Sequence, residues 1–374
     1  MEGKPTHLGA PMSIRHEVIV VGGGQAGLAI GYHLARRGLD FTILEAADVP
    51  AAAWRGRWAS LKLFTSARYD SLPGLPFPGD PDRYPARDEV ADYLSDYAAH
   101  FELPVQLDSR VRSLRRRDGF ALEVGDRSYE ADQVVVATGP FQTPRIPSCA
   151  ERLSAEVTQL HSSSYRAPDV VPPGRVVVVG GGNSGYQIAA DLADTHEVHL
   201  AIGSRQLPLP QRILGRDLFW YLDAVGMLRL TQESRLGRRL AAREDTLIGS
   251  SPRRLRRQHA VTQHGRVTDA EGSVVRFADG SAVEANTVIW ATGFRLDLSW
   301  IDLPVLDTEG RPVHSRGVTT EPGLYVLGQI WQHTRGSALL GWVKDDAEYL
   351  AGQIGDFRAA RSARSPRPHP SHPT

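Results

Sequence analysis

Glu17-Val18-Ile19-Val20-Val21-Gly22-Gly23-Gly24-Gln25-Ala26-Gly27 decides the fold of this chain. The unbroken apolar run Val18–Val21 predicts a strand buried on both faces. A glycine turn follows, and Leu28, Ala29, Ile30, Leu34 and Ala35 then recur at helical spacing. Gly38 is placed to end that helix, and Phe41-Thr42-Ile43-Leu44-Glu45 predicts the next strand. The same design returns at Arg175-Val176-Val177-Val178-Val179-Gly180-Gly181-Gly182-Asn183-Ser184-Gly185. A helix through Ile188, Ala189 and Leu192 and a strand at Val198–Ile202 complete the second copy. Two strand-turn-helix units imply an α/β fold with two Rossmann-like dinucleotide-binding domains.

Each glycine has a separate task. The first allows the tight turn out of the strand, the second lets backbone approach a pyrophosphate, and the third lets helix and strand pack closely. The helix N-terminus then supplies free N–H groups and a positive dipole end to the anion. Gly22, Gly24 and Gly27 fit these tasks, and Gly180, Gly182 and Gly185 fit them again. The residues after the second strand of each unit separate the two sites. Glu45 lies 18 residues beyond Gly27, near the ~20 expected of a carboxylate that grips ribose hydroxyls. That suits an unmodified ribose, as in FAD or NAD. The second unit carries Gly203-Ser204-Arg205 instead. Ser204 and Arg205 would hold a 2′-phosphate that a carboxylate would repel, which favours NADPH.

Two further apolar strands end alike, in Ala137-Thr138-Gly139 and Ala291-Thr292-Gly293. Small residues there let backbone approach a ligand. The second unit therefore reads as an insertion: FAD-type domain over 1–150, NADPH domain over 151–287, FAD-type domain again over 288–360. Residues 1–15 read as a loose arm, and the Pro- and Arg-rich 361–374 as a disordered tail. Helices are expected from Asp217 to Ala224 and from Gln232 to Arg243, and a hairpin at Val274–Phe277 and Ala282–Glu284 around Asp279-Gly280.

The 374 residues are 41% hydrophobic, with 43 Lys plus Arg against 43 Asp plus Glu. That balance gives no sign of a nucleic-acid or membrane partner. No apolar run is long enough to span a bilayer and no signal segment opens the chain, so a cytoplasmic protein is expected. The single cysteine, Cys149, excludes a CxxC redox pair. The basic run Arg253, Arg254, Arg256 and Arg257 reads as a solvated helix face.

The order of these motifs resembles the class B flavin-dependent monooxygenases, bacterial FAD/NADPH oxidoreductases similar to flavin-containing and plant indole-pyruvate monooxygenases. Gly180–Gly185 resembles their Gly-x-Gly-Asn-Ser-Gly site. Leu61–Thr65, Leu75–Pro78 and Leu324–Gln329 resemble their flavin-side segments. His161 and Tyr165 match the family fingerprint, where Ala155 and Val157 replace its Phe and Gly. The resemblance implies FAD at the first site, contacted by Gln25, Ala26, Ala46, Trp54, Arg55, Thr65, Val111, Ala137, Thr138, Gly139 and Gln329. It implies NADPH at the second, contacted by Asn183, Ser184, Ala291, Thr292 and Gly293 besides the glycines. Thr65, Gln329 and His333 are the candidates for polar, catalytic contacts around the flavin ring, and no metal is expected. The implied activity is NADPH-dependent oxygenation of a small organic substrate by O2 through a flavin C4a-(hydro)peroxide. A reductase or oxidase without oxygen insertion, and a non-enzymatic redox sensor, are the alternatives; a homodimer is left open.

Overall fold

The computed structural model describes residues 13–204, 207–242 and 246–364, without the side chains of Gln258 and Arg364. Its larger sheet is built around the strand Ser13–Val21. This strand runs parallel to Phe41–Leu44 on one side and to Arg127–Val136 on the other. Parallel pairing buries both faces, which is why Val18, Ile19 and Val20 are fully covered. Beyond Arg127–Val136 the sheet turns antiparallel through Phe120–Val124 and Val111–Arg116. Leu324–Val326 returns to pair with the C-terminal half of Arg127–Val136.

The first glycine turn leads into the helix Gln25–Arg36. Gly38 follows it at φ +62°, as the left-handed end position requires. Its inner residues Leu28, Ile30 and Leu34 share a core with Leu350, Ala351 and Ile354 of the long C-terminal helix Val343–Arg364. Each such side chain contributes about 1.5–3 kcal/mol when fully buried.

The second sheet holds five parallel strands in the order Thr262–His264, Glu197–Ala201, Arg175–Val179, Thr287–Trp290, Thr158–His161. Its glycine turn opens the helix Asn183–Leu192. The expected hairpin forms, Val274–Phe277 pairing antiparallel with Ala282–Glu284.

Four expectations are corrected. The arm does not extend to residue 15: Ser13, Ile14 and Arg15 lie opposite Ser128, Tyr129 and Glu130 in the sheet. The boundary at 287/288 cuts a strand, since Thr287–Trp290 pairs with Thr158–His161 and Arg175–Val179 in the second sheet. The tail does not begin at 361, because the last helix runs to Arg364 and Arg361 pairs with Asp132 at 3.1 Å. The helix expected over Gln232–Arg243 spans Arg235–Ala241, where Ser234 caps it by accepting from the Gly237 N–H. Arg243 and residues 1–12 and 365–374 lie outside the described residues. Among the described residues no helix is long and apolar enough to cross a membrane.

Candidate functional site

The two glycine turns are geometrically the same object. Gly22 and Gly180 take φ +111° and +139°, and a Cβ on either would meet the carbonyl oxygen of Ala137 or Ala291 at 2.6 or 2.1 Å. Only glycine fits there. A Cβ on Gly27 or Gly185 would stand 1.9 or 2.0 Å from the Gly22 or Gly180 carbonyl oxygen, so helix and turn are in direct contact. A Cβ on Gly24 or Gly182 would meet no atom of the described residues within 4 Å. Neither helix carries a side-chain cap at these positions. The first N–H groups of both helices therefore face open space, the arrangement a pyrophosphate needs. The Ala-Thr-Gly repeats back the two turns, as the contacts of Ala137 and Ala291 require.

Glu45 closes the first turn. Its carboxylate accepts from the Gly23 N–H at 2.7 Å and from the Ala47 N–H at 3.0 Å. It thus shapes the glycine loop while lining the cavity where a ribose would lie. Removing it leaves the Gly23 N–H unpaired, at a cost of about 1–3 kcal/mol. Glu45→Ala is expected to lower flavin affinity by about tenfold or more, checked by flavin retention on dilution.

A cavity of about 680 Å³ runs from this turn to the start of the second helix. Gly22, Gly24, Gln25, Ala26, Glu45, Ala46, Trp54, Val111, Ala137, Thr138 and Gly139 line one part, and Asn183 and Ser184 line the other. The Trp54 indole N–H donates to Gln25 Oε1 at 2.9 Å, and the Gln25 amide donates to the Ala338 carbonyl at 3.2 Å. These bonds pin the returning segment against the first turn. Asn183 does not cap its helix. Its Oδ1 accepts from the Ile248 N–H at 3.0 Å, which fastens the 246–248 segment. His161 donates from Nε2 to the Gly293 carbonyl at 3.0 Å and accepts at Nδ1 from the Ser163 N–H at 3.2 Å. Burial holds its pKa below the usual value, so it is a neutral positioning group for the second Ala-Thr-Gly.

Four of the residues expected around the flavin are not among those lining this cavity. Arg55 turns outward to Asp92 at 2.9 Å. Thr65 spends its hydroxyl on Asp70, donating to Oδ1 at 2.6 Å, and does not line the cavity. His333 lines a separate cavity of about 390 Å³ with Arg68, Asp345 and Asp346. Gln329 is buried next to Gly328, which does line the nucleotide cavity, and its Nε2 has no partner among the described residues. Arg205 lies outside the described residues; the Ser204 carbonyl sits beside the second turn, 3.7 Å from an ideal Cβ on Gly181.

Two residues escaped the sequence reading. Arg57 lines the cavity, its guanidinium 5.5 Å from the Phe141 ring and 5.4 Å from the Phe294 ring. Burial, with Arg166 nearby, holds its pKa below the usual guanidinium range. The only hint was the alternation in Trp54-Arg55-Gly56-Arg57, which does not say which arginine turns inward. Asp70 is 1% exposed, and burial pushes its carboxyl up to about 7. No motif marked it.

Residues 19–210 match the family described as pyridine nucleotide-disulphide oxidoreductase. The chain is 45% identical to an uncharacterized CzcO-like oxidoreductase of Geobacillus kaustophilus, over 90% of this chain and 98% of that protein. It is 28% identical to a probable indole-3-pyruvate monooxygenase of Arabidopsis thaliana, over 83% and 82% of the two chains. A flavin-containing monooxygenase structure from Stenotrophomonas maltophilia superposes with a TM-score of 0.78 at 29% identity, covering 92% of this chain and 99% of that one. Dithiol chemistry needs a cysteine pair, which one Cys149 cannot provide. The paired glycine turns, one cavity between them and these likenesses agree: the chain belongs to the pyridine nucleotide-disulphide oxidoreductases, among the class B flavin-dependent monooxygenases, whose cofactors are FAD and NADPH.

Proposed function

We propose that this protein uses NADPH to reduce its FAD and then oxygenates a small organic substrate with O2. The observation that carries this reading is the single cavity reaching from the first glycine turn to Asn183 and Ser184 at the second. Hydride transfer needs the two cofactors in one enclosed space. The bound flavin supplies the electron-transfer and oxygen chemistry. The chain supplies position and exclusion of water. Gly24 and Gly182 admit the two pyrophosphates, Glu45 orders the first loop, and His161 holds the second Ala-Thr-Gly through Gly293. Trp54, Trp58, Phe141 and Phe294 wall the cavity with apolar surface. On this reading the FAD unit comprises residues 13–150 and those after Trp290, with the NADPH unit between.

The test is anaerobic reduction of the flavin by NADPH, followed by admission of O2 with a panel of amines, thioethers and ketones. Oxygenated product in proportion to NADPH consumed is expected. Recovery of all reducing equivalents as hydrogen peroxide across the panel would replace the monooxygenase with an oxidase, and no reduction would reject both enzymes. Arg205→Ala is expected to raise KM for NADPH by about tenfold, from loss of a charge-assisted bond of about 1.5–3 kcal/mol, and to leave KM for NADH unchanged. Steady-state kinetics with the two nucleotides checks it.

A further inference from the structure

We infer that the arginine-flanked hairpin Arg212–Asp217 and the adjoining helix dock this protein onto an anionic lipid surface. Arg212 pairs with Asp217 and Ile213 with Arg216, leaving Leu214 and Gly215 as a two-residue turn. Both turn residues have positive φ, +48° at Leu214 and +80° at Gly215. Asn, Asp or Gly ordinarily fills the first of these places. Leucine is strained there, and it is 94% exposed, so no packing offsets the strain. A strained, fully displayed leucine at a hairpin tip is a side chain presented to something outside the fold.

Its surroundings identify the partner's chemistry. Ile213 and Trp220 are also exposed, and the Arg216 guanidinium lies 4.3 Å from the Trp220 ring centre. Apolar tip, interfacial tryptophan and arginine together are the composition of a membrane-surface element. The net charge of the whole chain is zero, yet this region is basic. Residues 207–242 carry Arg212, Arg216, Arg229, Arg235, Arg238 and Arg239 against Asp217, Asp223 and Glu233. Asp223 is paired with Arg229, and Asp217 caps its own helix. The excess of positive charge complements anionic headgroups. The hairpin is also firmly mounted. The Tyr221 hydroxyl donates to the Ile213 carbonyl at 3.0 Å, the Leu218 N–H donates to the Gln211 carbonyl at 2.7 Å, and Arg212 bonds the Asp82 carbonyl.

A lipid surface fits better than a second copy of the chain because of what lies behind the hairpin. Arg212 lines a cleft of about 490 Å³ with Tyr84, Gln211 and Arg254. The last three also line a cleft of about 690 Å³, which shares Lys62, Phe64 and Gln187 with the nucleotide cavity. A second protein seated on the hairpin would cover the outer end of this series, whereas a bilayer leaves it open to membrane-dissolved compounds. Only this last point rests on the proposed oxygenation; the docking surface stands without it.

The test is sedimentation of the full-length protein with extruded vesicles of equimolar phosphatidylglycerol and phosphatidylcholine, against phosphatidylcholine alone. Binding to the anionic vesicles is expected, weaker by about tenfold without phosphatidylglycerol and weakened by salt. Leu214→Gly is expected to lower vesicle partitioning by about tenfold while its melting temperature holds or rises, since glycine accepts the positive φ. Three results would overturn the inference. They are no binding of the unmodified protein to anionic vesicles, unchanged binding of Leu214→Gly, or a dimer on gel filtration that Leu214→Gly dissociates. The last would assign the hairpin to a second copy. Flavin content of the variant separates any failure of the redox reading from failure of docking.

Discussion

Gly24→Ala should give a folded protein that retains less flavin than its parent. Gly24 sits at φ −78°, where alanine is at ease, and the added methyl meets no atom of the described residues within 4 Å. The fold therefore tolerates it, and the apoprotein should melt within a few degrees of the unmodified one. The methyl instead occupies the space above the helix N-terminus, where a pyrophosphate must come close to the backbone. Overpacking of this kind costs about 1–3 kcal/mol, so flavin affinity should fall by about 10–100-fold. The ratio of flavin to protein absorbance after gel filtration measures this. Gly182→Ala is the matching control, at φ −82° and with the same open surroundings. It should keep the flavin and weaken NADP+ binding by a similar factor. A Gly24→Ala protein that retains as much flavin as its parent, or a Gly182→Ala protein that loses flavin instead, would reverse the assignment of the two sites. Gly27→Ala is a different experiment, because its Cβ would lie 1.9 Å from a backbone oxygen, and loss of flavin there would report only a damaged turn.

Asp70→Asn should make the protein more stable in alkaline solution, with a gain over the parent that is larger at pH 8.5 than at pH 5.5. Burial is the first cause of the raised Asp70 pKa; the Thr65 hydrogen bond lowers it, and the charge of Asp217 raises it further. An unfolded aspartate ionises near 3.9, whereas the folded group holds its proton to about 7. Below about pH 4 both states are protonated and the group is neutral in effect. Between about 4 and 7 the unfolded state loses its proton first, so stability falls as pH rises. Above 7 the penalty of a buried charge is complete, about 2–4 kcal/mol from a shift of about three units at 1.36 kcal/mol each. Asparagine removes the charge and can still accept from Thr65. Urea denaturation of both proteins at the two pH values checks the sign. His33, His161, His264 and His314 have lowered pKa values and act oppositely, gaining stability as pH rises. Only the difference between variant and parent therefore isolates Asp70. A difference that shrinks as pH rises would mean the carboxylate is stabilised in place.

The sequence alone determined what depends on consecutive residues. An apolar run followed by glycines at fixed spacing has one low-energy course, a buried strand turning into a helix, and both copies take it. Glu45 was legible for the same reason, since the end of a strand beside a known turn has only one position. The positive φ of Gly22 and Gly180 is likewise a local demand that only glycine meets.

Tertiary structure decided everything that depends on direction. The short helix Ala52–Arg55 gives way at Gly56; Arg57 beyond it lines the cavity, while Arg55 within it reaches out to Asp92. Neighbouring arginines are identical as letters, and only the packing of Phe141 and Phe294 distinguishes them. The sequence places Thr65 near the flavin, and only the fold shows that its hydroxyl donates to the buried Asp70, five residues on. The strand Thr287–Trp290 could close either sheet by composition, and only its register against Arg175–Val179 assigns it to the second. The glycine turns, being local, were written in the sequence; the walls of the cavity between them come from segments far apart in the chain and exist only once both sheets have formed.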